Sequence, residues 1–251
     1  PDTGISLNNL AALHESKGAY DKALPLYQRA LAITEKAQGP EHPATGGRLN
    51  NLSALYFTQE KYSQALPLVQ RAFGIAISRA GTNPELLAQV ANNLCILKQT
   101  TSRPEAIFYC KIAVNTRKTQ RESAKSMGKE LQLSLQAKTQ DPYLLLNRLL
   151  TLSQRYYESE EVLLAMKVAE FNHITRADTV ADTGVSRTAT EAKLENELND
   201  LGLRFGELLA QQEKLKSAAA DANALAKNRE QINIANKNIQ ENLAKLATAL
   251  K

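Results

Sequence analysis

One seven-residue segment returns every 42 residues along this chain: LNNLAAL from Leu7 to Leu13, LNNLSAL from Leu49 to Leu55, and ANNLCIL from Ala91 to Leu97. A period between roughly 20 and 50 residues marks stacked supersecondary units, each too small to bury its own apolar face. Neighbouring units must cover one another, so function is expected on a surface.

The rest of the unit repeats as well. Gly18-Ala-Tyr20 and Ala23-Leu-Pro-Leu-Tyr27-Gln-Arg-Ala30 return as Lys61-Tyr62 and Ala65-Leu-Pro-Leu-Val69-Gln-Arg-Ala72. The pattern reads helix, tight turn, helix. In the third copy the turn becomes Thr101-Ser102-Arg103-Pro104, one residue shorter, and Ala106 and Ala113 resume the second helix. Ala23, Ala30 and their equivalents suit close helix approach, and Leu7, Leu10 and Leu13 supply the stripe packed against them. Gly18 suits the positive φ of a helix-ending turn.

These residues resemble the tetratricopeptide repeat (TPR) pattern. The long period, the Asn-Asn-Leu segment and the Gly39-Pro40-Glu41-His42-Pro43 linker are similar to the 42-residue variety of kinesin light chains. The resemblance covers about residues 1–120 and implies an all-α fold, a TPR superhelical solenoid with three clear repeats. The tryptophan of many TPR repeats is absent, with Leu7 and Leu49 in its place. The third repeat departs most, carrying Ser102 and Pro104 where Gly18 and Tyr20 stand in the first.

Composition agrees with thin helical layers: hydrophobic residues make up 43% of the chain, aromatic residues 5%, and tryptophan is missing. No run of about 18 apolar residues and no charged-then-apolar leader is present, so no membrane span is expected and the location is expected to be cytoplasmic. Pro1 stands at the place of Pro43 in the next unit, which reads as a start inside a linker. The net charge of +5 lies wholly on residues 1–120, with 13 Lys+Arg against 8 Asp+Glu, while 121–190 and 191–251 each hold 9 against 9. Without basic runs or interleaved aromatics this surplus predicts no nucleic acid partner and favours an acidic peptide. Cys95 and Cys110 fall where small apolar residues belong, and buried free thiols are expected there.

Beyond residue 120 the period dissolves. Residues 121–176 contain a divergent TPR-like helix pair, with Leu145, Leu149 and Leu152 on one helix and Val162, Leu163, Met166 and Ala169 on the other. Gln154-Arg155-Tyr156 holds the turn, and Glu170-Phe171 with Arg176 ends the segment. This stretch resembles the end of the TPR array in bacterial proteins with a C-terminal CHAT domain, a caspase-like peptidase. The resemblance implies a bacterial regulatory scaffold whose partner is its own C-terminal domain.

Residues 177–190, with Gly184 and few large apolar side chains, read as a linker. Residues 191–251 then carry coiled-coil spacing: Leu194, Leu198, Leu201, Phe205 and Leu208 in one register, Leu225, Arg229, Ile232, Asn236, Ile239, Leu243, Leu246 and Leu250 in another. One continuous helix or a hairpin folded near 217–228 both fit, and the seam offers a route to a homo-oligomer. The hairpin has the advantage that a lone apolar stripe needs cover.

Chemistry is sparse. His14, His42 and His173 share no metal-ligand spacing with each other or with a cysteine, and no phosphate-binding glycine loop occurs. A cysteine peptidase needs a His and a thiolate brought together, and these residues are scattered over helical repeats. No enzyme activity, cofactor or metal is expected, and Glu158, Glu160 and Glu161 read as a solvated helix face. What remains is the ladder Asn8-Asn9, Asn50-Asn51 and Asn92-Asn93 on the first helix of each unit. An amide carries donors and an acceptor, so amides at repeat spacing can grip an extended peptide backbone. The expected contacts are Asn9, Asn51 and Asn93 first, then Asn8, Asn50 and Asn92, in a protein-protein interaction module.

Overall fold

A computed structural model describes residues 2–79, 82–124, 140–175, 184–217 and 221–250. Every regular element among these residues is an α-helix: α1 (Asp2–Ser16), α2 (Tyr20–Gln38), α3 (Pro43–Thr58), α4 (Tyr62–Ile77), α5 (Pro84–Lys98), α6 (Arg103–Ala124), α7 (Gln140–Leu152), α8 (Tyr156–Thr175), α9 (Ala189–Ser217) and α10 (Ala222–Ala249). The chain is an all-α helical repeat of the solenoid class. It divides into two compact units, residues 1–86 with 194–246, and 87–193 with 247–251.

In the first unit α1 packs on α2, α2 on α3 and α3 on α4. Ala23, Ala30, Ala65 and Ala72 are fully buried, as close helix approach demands. Tyr27, Leu52 and Leu55 fill the core between the repeats. Leu10 and Leu13 differ from expectation, being 43% and 49% exposed. Their counterparts Leu52 and Leu55 are covered because α2 lies over α3, whereas in α1 the buried position is Ala11.

The turns carry the repeat most faithfully. Gly18 has φ 71°, and Ala19 donates to the His14 carbonyl at 2.9 Å. Glu60 takes the same place with φ 60°, and Lys61 donates to Tyr56 at 2.9 Å. Gln154 does so between α7 and α8, with φ 59° and Arg155 donating to Leu150 at 3.0 Å. This is the helix-ending motif in which one left-handed residue lets an amide reach back to an orphan carbonyl. The third repeat uses a shorter closure, Ser102 donating to Lys98 at 2.8 Å.

Helices α9 and α10 pair antiparallel, α9 running back against α10. Asn228 Nδ2 donates to the Leu208 carbonyl at 3.2 Å across the two helices. The hairpin lies on α4. A Cβ built on Gly202 would come within 2.8 Å of the Ile77 carbonyl oxygen, and one on Gly206 within 2.6 Å of that of Ser78, so the glycines permit backbone-to-backbone approach. Gly74 of α4 in turn faces Ile239 of α10.

The apolar seam is thus buried within the chain. Leu198, Phe205, Leu209, Ile232, Ile239, Leu243 and Leu246 are buried. The expected register shifts on α9, where Leu209 rather than Leu208 completes the buried stripe. On α10 the expected positions Ile232, Ile239, Leu243 and Leu246 are buried, while the buried polar residue is Asn228, bonded to Leu208 of α9, and Arg229 is exposed.

In the second unit α6 packs on α7 and α7 on α8. Phe108, Tyr109, Tyr143, Leu146, Leu150 and Val162 form its core. On α7 the buried stripe is Tyr143, Leu146, Leu149 and Leu150, and Leu152 is 54% exposed, contrary to the expected stripe. Cys95 and Cys110 are not free thiols: they form a disulfide that ties α5 to α6, with Cα atoms 5.1 Å apart. The facing small positions of a tightly packed helix pair bring two Cys side chains within bonding distance. The side chains of Glu170, Phe171 and His173, together with Arg176 and the linker residues 177–183, lie outside the described residues.

Candidate interaction surface

The first helix of each unit carries the asparagines. Asn8 and Asn50 are both buried at 6% exposure, Asn9 is exposed, and Asn51, Asn92 and Asn93 are half-buried. The six are therefore not equivalent. Asn51 Nδ2 donates to Asn8 Oδ1 at 2.9 Å, joining α3 to α1. That bond uses one amide hydrogen of Asn51 and the carbonyl of Asn8. Asn50 and Asn93 are engaged by neighbours of their own.

One further residue was not singled out by sequence. Gly47 lies one turn before Asn51 on α3, and a Cβ built there would meet nothing within 4 Å. Its period mate on α1 is Ile5, 47% exposed and one turn before Asn9. The α1–α3 wall thus presents an apolar side chain, an exposed amide, open backbone and the Asn8–Asn51 pair. The readable signal was the Gly46-Gly47 pair inside a helix, where glycine costs roughly 0.5–1 kcal/mol relative to alanine.

The linker residues play packing parts. Arg71 pairs with Glu35 at 2.7 Å and donates to the Pro40 carbonyl at 3.0 Å. His42 Nδ1 accepts from the Ala44 amide at 3.1 Å, capping α3. Burial holds the His42 imidazole below its usual range, with Arg79 acting in the same direction and Glu213 opposing.

In the second unit a buried charge cluster escaped the sequence reading. Lys111, 1% exposed, pairs with Glu158 and, at 2.7 Å, with Glu191. Arg155 bonds Glu158 at 2.6 and 2.8 Å and Glu191 at 3.0 Å. Burial works against ionising both carboxyls, but hydrogen bonds from Arg155 and Lys111 to Glu158, and from Lys111 and Thr188 to Glu191, outweigh it and hold both below the usual range. Glu158 is thus not a solvated face. Two cations and two carboxylates balance, which is how a buried lysine is tolerated. Thr188 and Glu191 also form a capping box at the start of α9, with bonds of 2.8 and 3.2 Å. Lys111 inside the apolar run Ile107 to Val114, and the Thr-x-x-Glu spacing, were the available signals.

Among the described residues no group of His, Cys, Asp and Glu is arranged to hold a metal ion, and no helix is long and apolar enough to cross a membrane.

Paired helices, a left-handed residue closing the turn and a 42-residue repeat are the features that family comparison can test. Residues 2–78 match the tetratricopeptide repeat family model. The match takes in α1 to α4, both TPR units of the first compact unit. Beyond it stand the third unit with its shorter turn and the α7–α8 pair, whose turn geometry follows the TPR units while its sequence has drifted. No curated protein matches the chain. TPR repeats are a non-catalytic module that mediates protein-protein interaction.

Proposed function

We propose that this chain binds an extended peptide segment of a partner protein along the wall formed by α1 and α3, the first helices of its first two TPR units. The observation that carries this is the unequal solvent access of the asparagines. Asn9 is exposed and no packing requirement keeps an amide there. On α3 Gly47 leaves open space one turn before Asn51, and half-buried Asn51 keeps one amide hydrogen and its carbonyl after bonding Asn8. Asn51 and Asn8 act first in joining α3 to α1 and Asn51 second toward the ligand, so the best single contact is Asn9. The charge surplus on residues 1–120 supports an acidic segment.

The Cys95–Cys110 disulfide supports an oxidising location over the cytoplasmic one expected, because cytosolic thiols are kept reduced.

The test uses decapeptides enriched from a random display library on the wild-type chain. Changing Asn9 and Asn51 together to Ala is expected to weaken their binding at least tenfold. Asn9→Ala alone is expected to weaken binding and leave the melting temperature unchanged, while Asn51→Ala also costs about 1 kcal/mol through the lost bond to Asn8. Equal binding by the double variant removes the proposal.

A further inference from the structure

Residues 184–188 lie outside any helix and are held against α6 and α8 by backbone and side-chain bonds. Asn115 of α6 makes a two-point bond to the backbone of Val185: its Nδ2 donates to the Val185 carbonyl at 3.0 Å, and its Oδ1 accepts the Val185 amide at 3.0 Å. A strand neighbour would offer the same pair of bonds. Val185 is 4% exposed. Gly184, at φ 72°, brings its backbone so near α6 that an added Cβ would stand 2.8 Å from Asn115 Oδ1 and 3.0 Å from Lys118 Cδ. From α8, Glu161 accepts the Ser186 hydroxyl.

The contacts with 184–188 fall at Asn115 and Lys118 on α6, one turn apart, and at Glu161 on α8. The specificity elements of this groove are a backbone-reading amide, a site for one β-branched side chain, an acceptor for a hydroxyl, and a left-handed position that favours glycine before the β-branched residue. Those are the attributes of peptide recognition in extended form, where main-chain bonds give affinity and alternate side chains give specificity.

We propose that the α6–α8 groove is a second peptide-recognition site, selective for an extended Gly-Val-Ser-type segment and closed in this chain by its own residues 184–188. The occupant is intramolecular, so it faces the groove at an effective concentration on the order of mM. A free peptide of the same pattern therefore enters only when the strap is weakened or the peptide is in large excess. The strap runs into Thr188 and Glu191, so its release also loosens the capped start of α9 from Lys111 and Arg155.

Two variants of the full chain weaken the strap differently. Ser186→Asp sets a carboxylate against Glu161 at an exposed position, and Val185→Asp empties the apolar site. Release is read by trypsin cleavage after Arg187, expected to be at least tenfold faster than in wild type. The probe is a fluorescent peptide of residues 183–189 in wild-type sequence, expected to bind either variant at least tenfold tighter than it binds the wild-type chain. Adding Asn115→Ala is expected to remove that binding. If Val185→Asp loses its helical circular dichroism, Ser186→Asp decides alone. The proposal is overturned if cleavage at Arg187 is unchanged in both variants, or if the strap is released and the peptide still does not bind, since the segment would then be a structural tie.

Discussion

A single chemical change, glycine to alanine, should have opposite signs at two places in this fold. At Gly47 on α3 the added methyl meets nothing within 4 Å. Gly47→Ala should therefore gain the difference in helix propensity, roughly 0.5–1 kcal/mol. At Gly202 and Gly206 on α9 the same methyl would lie 2.8 Å from the Ile77 carbonyl oxygen and 2.6 Å from that of Ser78. Both obstacles are backbone atoms of the α4 end, so relief requires the hairpin to move outward, drawing Phe205 away from its buried position. Overpacking of this kind costs about 1–3 kcal/mol, of which propensity returns less than one. Each variant should lose about 1–2 kcal/mol. The double variant should lose less than the sum, because one displacement relieves both clashes. Urea unfolding followed by far-ultraviolet circular dichroism measures all four chains, the midpoint rising for Gly47→Ala and falling for the others. If Gly202→Ala and Gly206→Ala stabilise as Gly47→Ala does, the hairpin is not docked on α4 through these glycines.

Glu60 holds a left-handed conformation that Gly18 holds in the preceding unit, so Glu60→Gly should stabilise the chain by about 1 kcal/mol, read as a rise in urea midpoint. The Cys95–Cys110 bond closes a 15-residue separation, and reduction should destabilise the second unit by about 3 kcal/mol; thiol titration of the unreduced, unfolded chain that finds two free thiols refutes the pairing. His42 supplies a test by pH. Its imidazole is held below its usual range and must be neutral at Nδ1 to cap α3, so its contribution is present above about pH 6.5 and is lost as pH falls through its folded value. His42→Asn, which keeps a cap without the titration, should flatten stability between about pH 7 and pH 5.

The 42-residue period was legible because each unit solves the same local problem, and the solution is written in short-range chemistry. Ala23 and Ala65 must be small, and the residue at 18, 60 or 154 must turn left-handed. That the second and third of these are Glu and Gln shows why glycine alone is an incomplete signal: the hydrogen bond back to the preceding helix holds the turn even with a side chain present. The exposure of Leu10 and Leu13 was not legible in the same way. A leucine stripe states that a helix wants cover, while the covering helix belongs to another unit, and α1 differs from α3 in that respect alone.

The hairpin illustrates the same limit at longer range. Its four-and-three spacing is the signature of helices that wind together, and α9 and α10 do pair. But α4 contributes a third face, through Gly74, Ile77 and Ser78, and the buried positions include Leu209 and Asn228 in place of Leu208 and Arg229. The glycines that permit it, Gly202 and Gly206, stand four residues apart inside a helix, where each is costly unless something approaches closely. Asn8 and Asn51 tell a parallel story. An amide at repeat spacing is equally suited to a ligand and to its own neighbour, and only the fold shows that these two met each other first. The amide left exposed, Asn9, is therefore the residue whose conversion to Ala separates binding from stability.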